Sequence, residues 1–257
     1  AAASDVYKRQ RYSCMPLEWY GQEHTFSERN KLYLSVFKTL KLTNPKAFVV
    51  ENVRGLKTMW DGNVFKEIIK KFESAGYIVS ESLLNSADYG VPQIRHRVFI
   101  VGIKKELDKK FEFPKPEFDK DNYITCGEAI DNLPSLENGE LKSNDYNEKP
   151  TTNYQRYVMD SNKLYNHEAT LHKQFVKDTI ALVPEGGNYK DLPKGVGDSR
   201  KFNEAWTRYH SKKPSRTIDT GHRNHFHYKW NRVPTIRENA RLQSFKDSIE
   251  FLGTKPS

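Results

Sequence analysis

Two stretches of this chain bring reactive side chains to places where a fold can display them. In the first, Glu51 follows the continuously apolar run Ala47-Phe48-Val49-Val50, which predicts a buried parallel strand running out at a carboxylate. The carboxyl ends of strands in an open α/β sheet are where ligands sit. A carboxylate displayed there can hydrogen-bond a heteroaromatic ring nitrogen and stabilise its protonated form. It can equally cap the next turn or pair with a nearby arginine. In the second stretch, YGVPQIRHRVFIVG, a Gly-Val-Pro turn feeds Gln93, Arg95 and Arg97 into a strand, and alternation puts these three on one face. Two guanidiniums and an amide on one side can hold a base carbonyl, a phosphate or the Glu51 carboxylate. Basic residues facing water along an edge strand are the purely architectural use of the same pattern.

A third cluster, GHRNHFHYKW, sets His222, His225 and His227 close together, with Asp219 the one further residue at ligand spacing. A closed metal site takes four ligands, so the expectation is DNA-backbone contact or loop packing and no metal. Cys14 and Cys126 are the only cysteines. That excludes a disulfide framework and a Cys-rich zinc site, and it fits a reducing, cytoplasmic setting. Cys126 is expected to be an incidental, partly buried thiol.

The elements that must carry these residues can be read from periodicity. KLYLSVFKTLKL places Leu32, Val36, Phe37 and Leu40 at helical spacing, ahead of the strand that ends at Glu51. VFKEIIKKFESAG is an amphipathic helix stopped by Gly76, YIVSESLLNSADYG a strand ending in a turn, and RVFIVGI a further strand. Alternation of this kind describes part of an α/β sheet. After Ile103 the chain turns charged and proline-bearing, then shows no long period up to about Lys213, which reads as a linker and an irregular lobe. EGGNYKDLPKGVG is rich in turn residues and predicts loops. Near the end, Thr235 and Glu238 have capping-box spacing ahead of a short helix. The opening AAASDVYKRQ carries no period and is read as a joining scar or an assembly error.

The 257 residues suffice for one sizeable domain, or a domain with a smaller lobe. Net charge is +9, with lysine and arginine spread along the chain, a surface that attracts polyanions and chiefly nucleic acid, or that serves simply for solubility. No apolar run reaches the roughly 20 residues that span a bilayer. A monomer that does not engage membranes is expected.

Several ordered blocks carry a resemblance. PKAFVVENVRGL, LLNSADYGVPQIRHRVFIVG and PTIRENARLQSFKD resemble, in order and spacing, three blocks of the cytosine-5 DNA methyltransferases. ERNKLYLSVF, FEFPKP, GEAIDNLPSL and KPSRTID resemble that family's connecting passages, so the likeness runs from about Glu28 to Lys255. It implies a partial S-adenosylmethionine-dependent methyltransferase (Rossmann-like) α/β sheet plus an irregular target-recognition lobe. The implied activity is methyl transfer from S-adenosyl-L-methionine to C5 of cytosine in double-stranded DNA, as the modification arm of a restriction system. Readings left beside it are a catalytically inactive DNA-binding remnant and methylation of RNA by a related fold.

Carried over position by position, the resemblance implies that Glu51 contacts ring N3 and the exocyclic amine of a flipped cytosine. Arg97 would hold the cytosine O2 and Arg95 would support the site. Arg232, Arg237, Arg241 and Gln243 match a block that is mainly architectural, with Lys246 where proline is usual. Cys14 falls near the place of the family's nucleophile, although Ser13 and Met15 stand where proline and glutamine are usual. The cofactor-binding blocks are expected upstream of residue 1 and beyond Ser257, which makes the chain a fragment expected to be inactive alone. The implied organisation is an atypical segment 1–27, a partial catalytic domain 28–104, a linker and target-recognition region 105–231, and a helix returning to the catalytic domain at 232–257.

Overall fold

The computed structural model describes residues 32–137, 141–196, 205–219 and 224–253. The chain divides into two compact units, 1–84 with 96–115 and 85–95 with 116–257.

In the first unit, helix α1 (Leu32–Thr43) leads into strand β1 (Ala47–Val53); helix α2 (Asn63–Ser74) follows, then β2 (Tyr77–Asn85), whose last residue enters the second unit, and β3 (His96–Lys104). α1 stops where Asn44 takes a positive φ of 44°, its N–H donating to the Leu40 carbonyl, just before Pro45. α2 starts after Gly62 and buries Phe65, Ile68 and Phe72, the one-sided spacing its sequence predicts. It ends at Gly76, whose φ of 90° is a conformation that side chains with a Cβ rarely adopt.

The strands form a sheet of order β1-β3-β2, with β3 in the centre. One face packs on the α2 side of the unit, where Phe48, Phe72 and Tyr77 meet with ring centroids 4.8 and 5.0 Å apart. Val98 and Ile100 of β3 complete this core and are almost fully buried.

β1 departs from the expected buried parallel strand. It pairs antiparallel with β3, from Ala47 opposite Ile103 to Val53 opposite Arg97, and Val49 is 66% exposed. An apolar run of this length reads the same whether one face or both are covered, which is why its sequence misled.

The second unit is built on short elements: helices α3 (Cys126–Ile130), α4 (Asn153–Val158), α5 (Gln174–Ala181) and α6 (Ile236–Arg241), and the two-residue parallel strands β4 (Thr207–Arg208) and β5 (His225–Phe226). α3, α4 and α5 lie in the stretch that showed no long period, because helices this short fall below the length at which periodicity speaks. Their legible signal is local: Thr125 with Glu128, and Thr152 with Gln155, form capping boxes like that of Thr235 with Glu238.

The core of this unit gathers Ile130, Leu133, Val158, Leu164, Tyr209 and Leu242. Cys126 joins it and is completely buried rather than partly so, and burial pushes its thiol well above the usual range. Beside these apolar residues lies a buried ionic layer. Arg241 donates to both oxygens of Asp247 at 3.1 and 2.6 Å and also reaches the Ala129 carbonyl and Asn132. Arg237 binds the carbonyls of Tyr165, Lys246 and Ile249, and Arg232 holds both oxygens of Glu238 at 2.8 and 2.7 Å. Gln243 donates to the Asn239 carbonyl, and Lys246 sits over the Tyr157 ring. The matched arginines thus tie α6 to the chain around it.

Candidate active site

Glu51 and Arg97 are brought together by strand register. Glu51 lies opposite Phe99 and Val53 opposite Arg97, so Glu51 and Arg97 are diagonal neighbours on one face of the β1–β3 pair. Phe48, Val98 and Ile100 point to the core, which leaves the other face to Glu51 and Arg97. A diagonal separation suits the long arginine side chain, and its Nε stands 2.8 Å from Glu51 Oε1. Nη1 of Arg97 donates to the His96 carbonyl at 2.8 Å, which fixes the guanidinium from behind. The pair is partly open, with the arginine side chain 15% exposed and the glutamate 34%. Asn52 shapes the strand end: its Oδ1 accepts the Val53 N–H at 2.8 Å before the chain turns into the 3-10 segment Arg54–Lys57.

An ion pair of this kind sets an acceptor beside a donor. Such a pair can meet one edge of a heteroaromatic base, the carboxyl accepting from an amine and sharing a proton with a ring nitrogen while the guanidinium donates to a carbonyl.

The continuous strand expected to put Gln93, Arg95 and Arg97 on one face does not form. β3 begins only at His96, and the residues before it belong to the second unit. There Gln93 is buried and bridges to Ser215, with the Ile94 N–H donating to the Ser215 carbonyl and Thr217 Oγ1 to the Ile94 carbonyl. The period-2 argument fails because the proline-bearing turn withholds strand geometry until His96. Arg95 therefore sits on an anchored loop, with its carbonyl accepting the Ser86 N–H at 3.0 Å and its own N–H donating to Asn85 Oδ1 at 3.1 Å.

Cys14 and His222 lie outside the described residues. His225 is buried and stacks on Tyr209, and His227 is buried beside Glu238. Nδ1 of His227 accepts the N–H groups of Lys229 and Trp230, so Nε2 carries the proton. Among the described residues no group of three or more histidine, cysteine or acidic side chains could hold a metal ion. Likewise no described helix is long and apolar enough to cross a membrane.

The C-5 cytosine-specific DNA methylase profile matches residues 14–257. The chain belongs to that family. A Type II methyltransferase of Haemophilus parahaemolyticus is 38% identical over 237 residues, which cover 90% of this chain and 56% of that protein. One from Neisseria gonorrhoeae is 33% identical over 238 residues, covering 88% of this chain and again 56% of the relative. The chain thus spans little more than half the length of either relative. Among solved structures, a DNA modification methyltransferase encoded within an E. coli prophage aligns with a TM-score of 0.66, covering 86% of this chain and 65% of that one. At 22% identity this speaks to the fold alone, a mixed α/β methyltransferase fold.

Proposed function

We propose that this chain forms part of an enzyme that methylates C5 of cytosine in double-stranded DNA, as the modification component of a restriction system. The observation that carries the reading is the partly exposed Glu51–Arg97 pair of β1 and β3, in a chain of the C-5 cytosine-specific family.

In this reading the target base leaves the duplex, because its reactive carbon is buried in the stack. The Glu51 carboxyl meets ring N3 and the exocyclic amine and so activates C6 toward attack. Arg97 orients that carboxyl and holds O2, while Arg95 supports the site from its anchored loop. Cys14 is the candidate nucleophile, adding to C6 through its thiolate. Residues 28–104 would supply part of the catalytic domain, a partial Rossmann-like sheet. Residues 105–231 would supply the linker and an irregular target-recognition lobe, with 232–257 returning to the catalytic domain. Scattered lysines and arginines would hold phosphates.

S-adenosyl-L-methionine would supply the methyl group. Among the described residues no strand is followed by a glycine-rich turn fit to hold it, so no step is assigned to these residues through the donor.

The test is transfer of labelled methyl from S-adenosylmethionine to duplex DNA. It compares this chain with a version extended at both ends to the length of its relatives. Transfer by the extended version, lost on Glu51→Gln, is expected; a folded extended protein that transfers nothing would overturn the reading.

A further inference from the structure

Arg95 is held by a three-residue knot to which its sequence gave no obvious pointer. Asn85 closes β2, and its Oδ1 accepts the N–H of Arg95 at 3.1 Å and lies 3.5 Å from the Ala87 N–H. Its Nδ2 donates to Asp88 Oδ1 at 3.0 Å and lies 3.3 Å from the Tyr123 hydroxyl. Tyr123 in turn donates to the same Asp88 oxygen at 2.5 Å. The main-chain carbonyl of Asp88 accepts the N–H groups of both Glu117 and Phe118, at 2.9 and 3.1 Å. Gly90 closes the loop at a φ of 79°, and a Cβ there would come within 3.0 Å of the Phe118 ring.

The order of these bonds has a consequence for Arg95. An amide can face its neighbours either way round, and the donors and acceptors around it decide which end is which. Asp88, an acceptor, draws Nδ2 of Asn85 toward itself and so turns Oδ1 toward the Arg95 N–H. The hydrogen bond to Asp88 is also the main cause, ahead of burial, of a raised Tyr123 hydroxyl pKa.

We infer that Asn85, Asp88 and Tyr123 are positioning residues that set the backbone of Arg95 for methyl transfer. The inference rests on the proposed role of Arg95. None of the three needs to touch DNA, so their loss should appear in turnover rather than in binding.

The experiment uses the extended protein described above. Asn85→Asp puts a carboxylate against Asp88, and Asp88→Asn removes the acceptor that orients Asn85. Each is expected to lower kcat roughly tenfold, as a displaced active-site loop does, with KM for DNA within about twofold. Combining Asn85→Asp with Asp88→Asn satisfies the network again with its polarity reversed: the carboxylate at position 85 accepts from Arg95 and from the new amide, and the Tyr123 hydroxyl turns to donate to position 85 and accept from position 88. The double variant should therefore recover kcat. Tyr123→Phe, which removes one donor at a half-exposed ring, should act in the same direction and gives a second route if a single variant does not fold.

Folded single variants with unchanged kcat, or a double variant no faster than its parents, would overturn the inference. So would Arg95→Ala turning over at the unsubstituted rate, which would leave nothing to position. An unsubstituted protein that transfers no methyl would sink the proposed function along with it, so the two failures are distinguishable.

Discussion

Glu51 and Arg97 lie 2.8 Å apart, yet the pair is partly open to solvent and is therefore a weak contributor to stability. That separates its two possible uses. If it serves only as an ion pair, Glu51→Gln changes both activity and stability little. If the carboxyl activates a base, Glu51→Gln in the extended protein lowers methyl transfer by roughly 10²–10⁴-fold. Unfolding free energy then shifts by no more than about 1 kcal/mol. Rate and denaturant midpoint measured on the same preparation decide between them. At this scale the sequence displayed the residue types and the glutamate's place at a strand end. It offered the pairing as one alternative among several but could not select it, because a diagonal contact depends on the register of β1 against β3. The same limit applied to Asn85: an asparagine at the end of a strand looks like an ordinary turn former until its partners are in view.

Elements whose information is local were legible, and those whose information is shared between distant segments were not. α1, α2 and the cap of α6 follow from spacing and from residues within one turn, whereas the antiparallel partner of β1 lies some fifty residues away. Register also explains a glycine that periodicity treats as a defect in β3. Gly102 lies opposite Phe48, and a Cβ there would fall 2.1 Å from the Phe48 ring. Gly102→Ala should therefore cost about 1–3 kcal/mol by overpacking, and Phe48→Leu in the same chain should return part of it. Urea unfolding of the two variants measures this directly, and a neutral Gly102→Ala would mean the ring has room to move. In the second unit the strongest element-level tie is Asp247 with Arg241, both fully buried, with Tyr146 donating to the same carboxylate at 2.7 Å. Asp247→Asn leaves a buried guanidinium without its counter-charge and should cost about 3–5 kcal/mol. A loss under 1 kcal/mol would show that the arginine finds another acceptor.

On the scale of the whole molecule, composition indicated a polyanion partner but gave no sign of how much charge is buried. Arg232, Arg237, Arg241, Glu238 and Asp247 are all nearly inaccessible, and two histidines, His167 and His227, are buried among them. This makes stability depend on pH in a defined direction. Burial, partly opposed by Glu238, lowers the His227 pKa from 6.5 to about 4, and burial likewise lowers that of His167. Above pH 6.5 neither the folded nor the unfolded chain protonates these rings, and their environment costs nothing. As pH falls below 6.5, the unfolded chain takes up protons that the folded chain refuses, and stability drops until the folded pKa is reached. For His227 alone the loss is on the order of 3 kcal/mol across that window, or about 1.4 kcal/mol per pH unit. Glu238 adds a second phase: burial, the largest single effect, raises its pKa, but the charges of Arg232 and His227 and the hydrogen bond from Arg232 together hold it below the ordinary value of 4.5, so stability falls further below that pH. Unfolding free energies measured from about pH 7 to about pH 5 should fall steadily, and His227→Gln should flatten the slope while lowering stability at pH 7. A flat profile in the unsubstituted protein would mean that water or a shifted Glu238 accommodates the imidazolium, and that the buried ionic layer opens before the fold does.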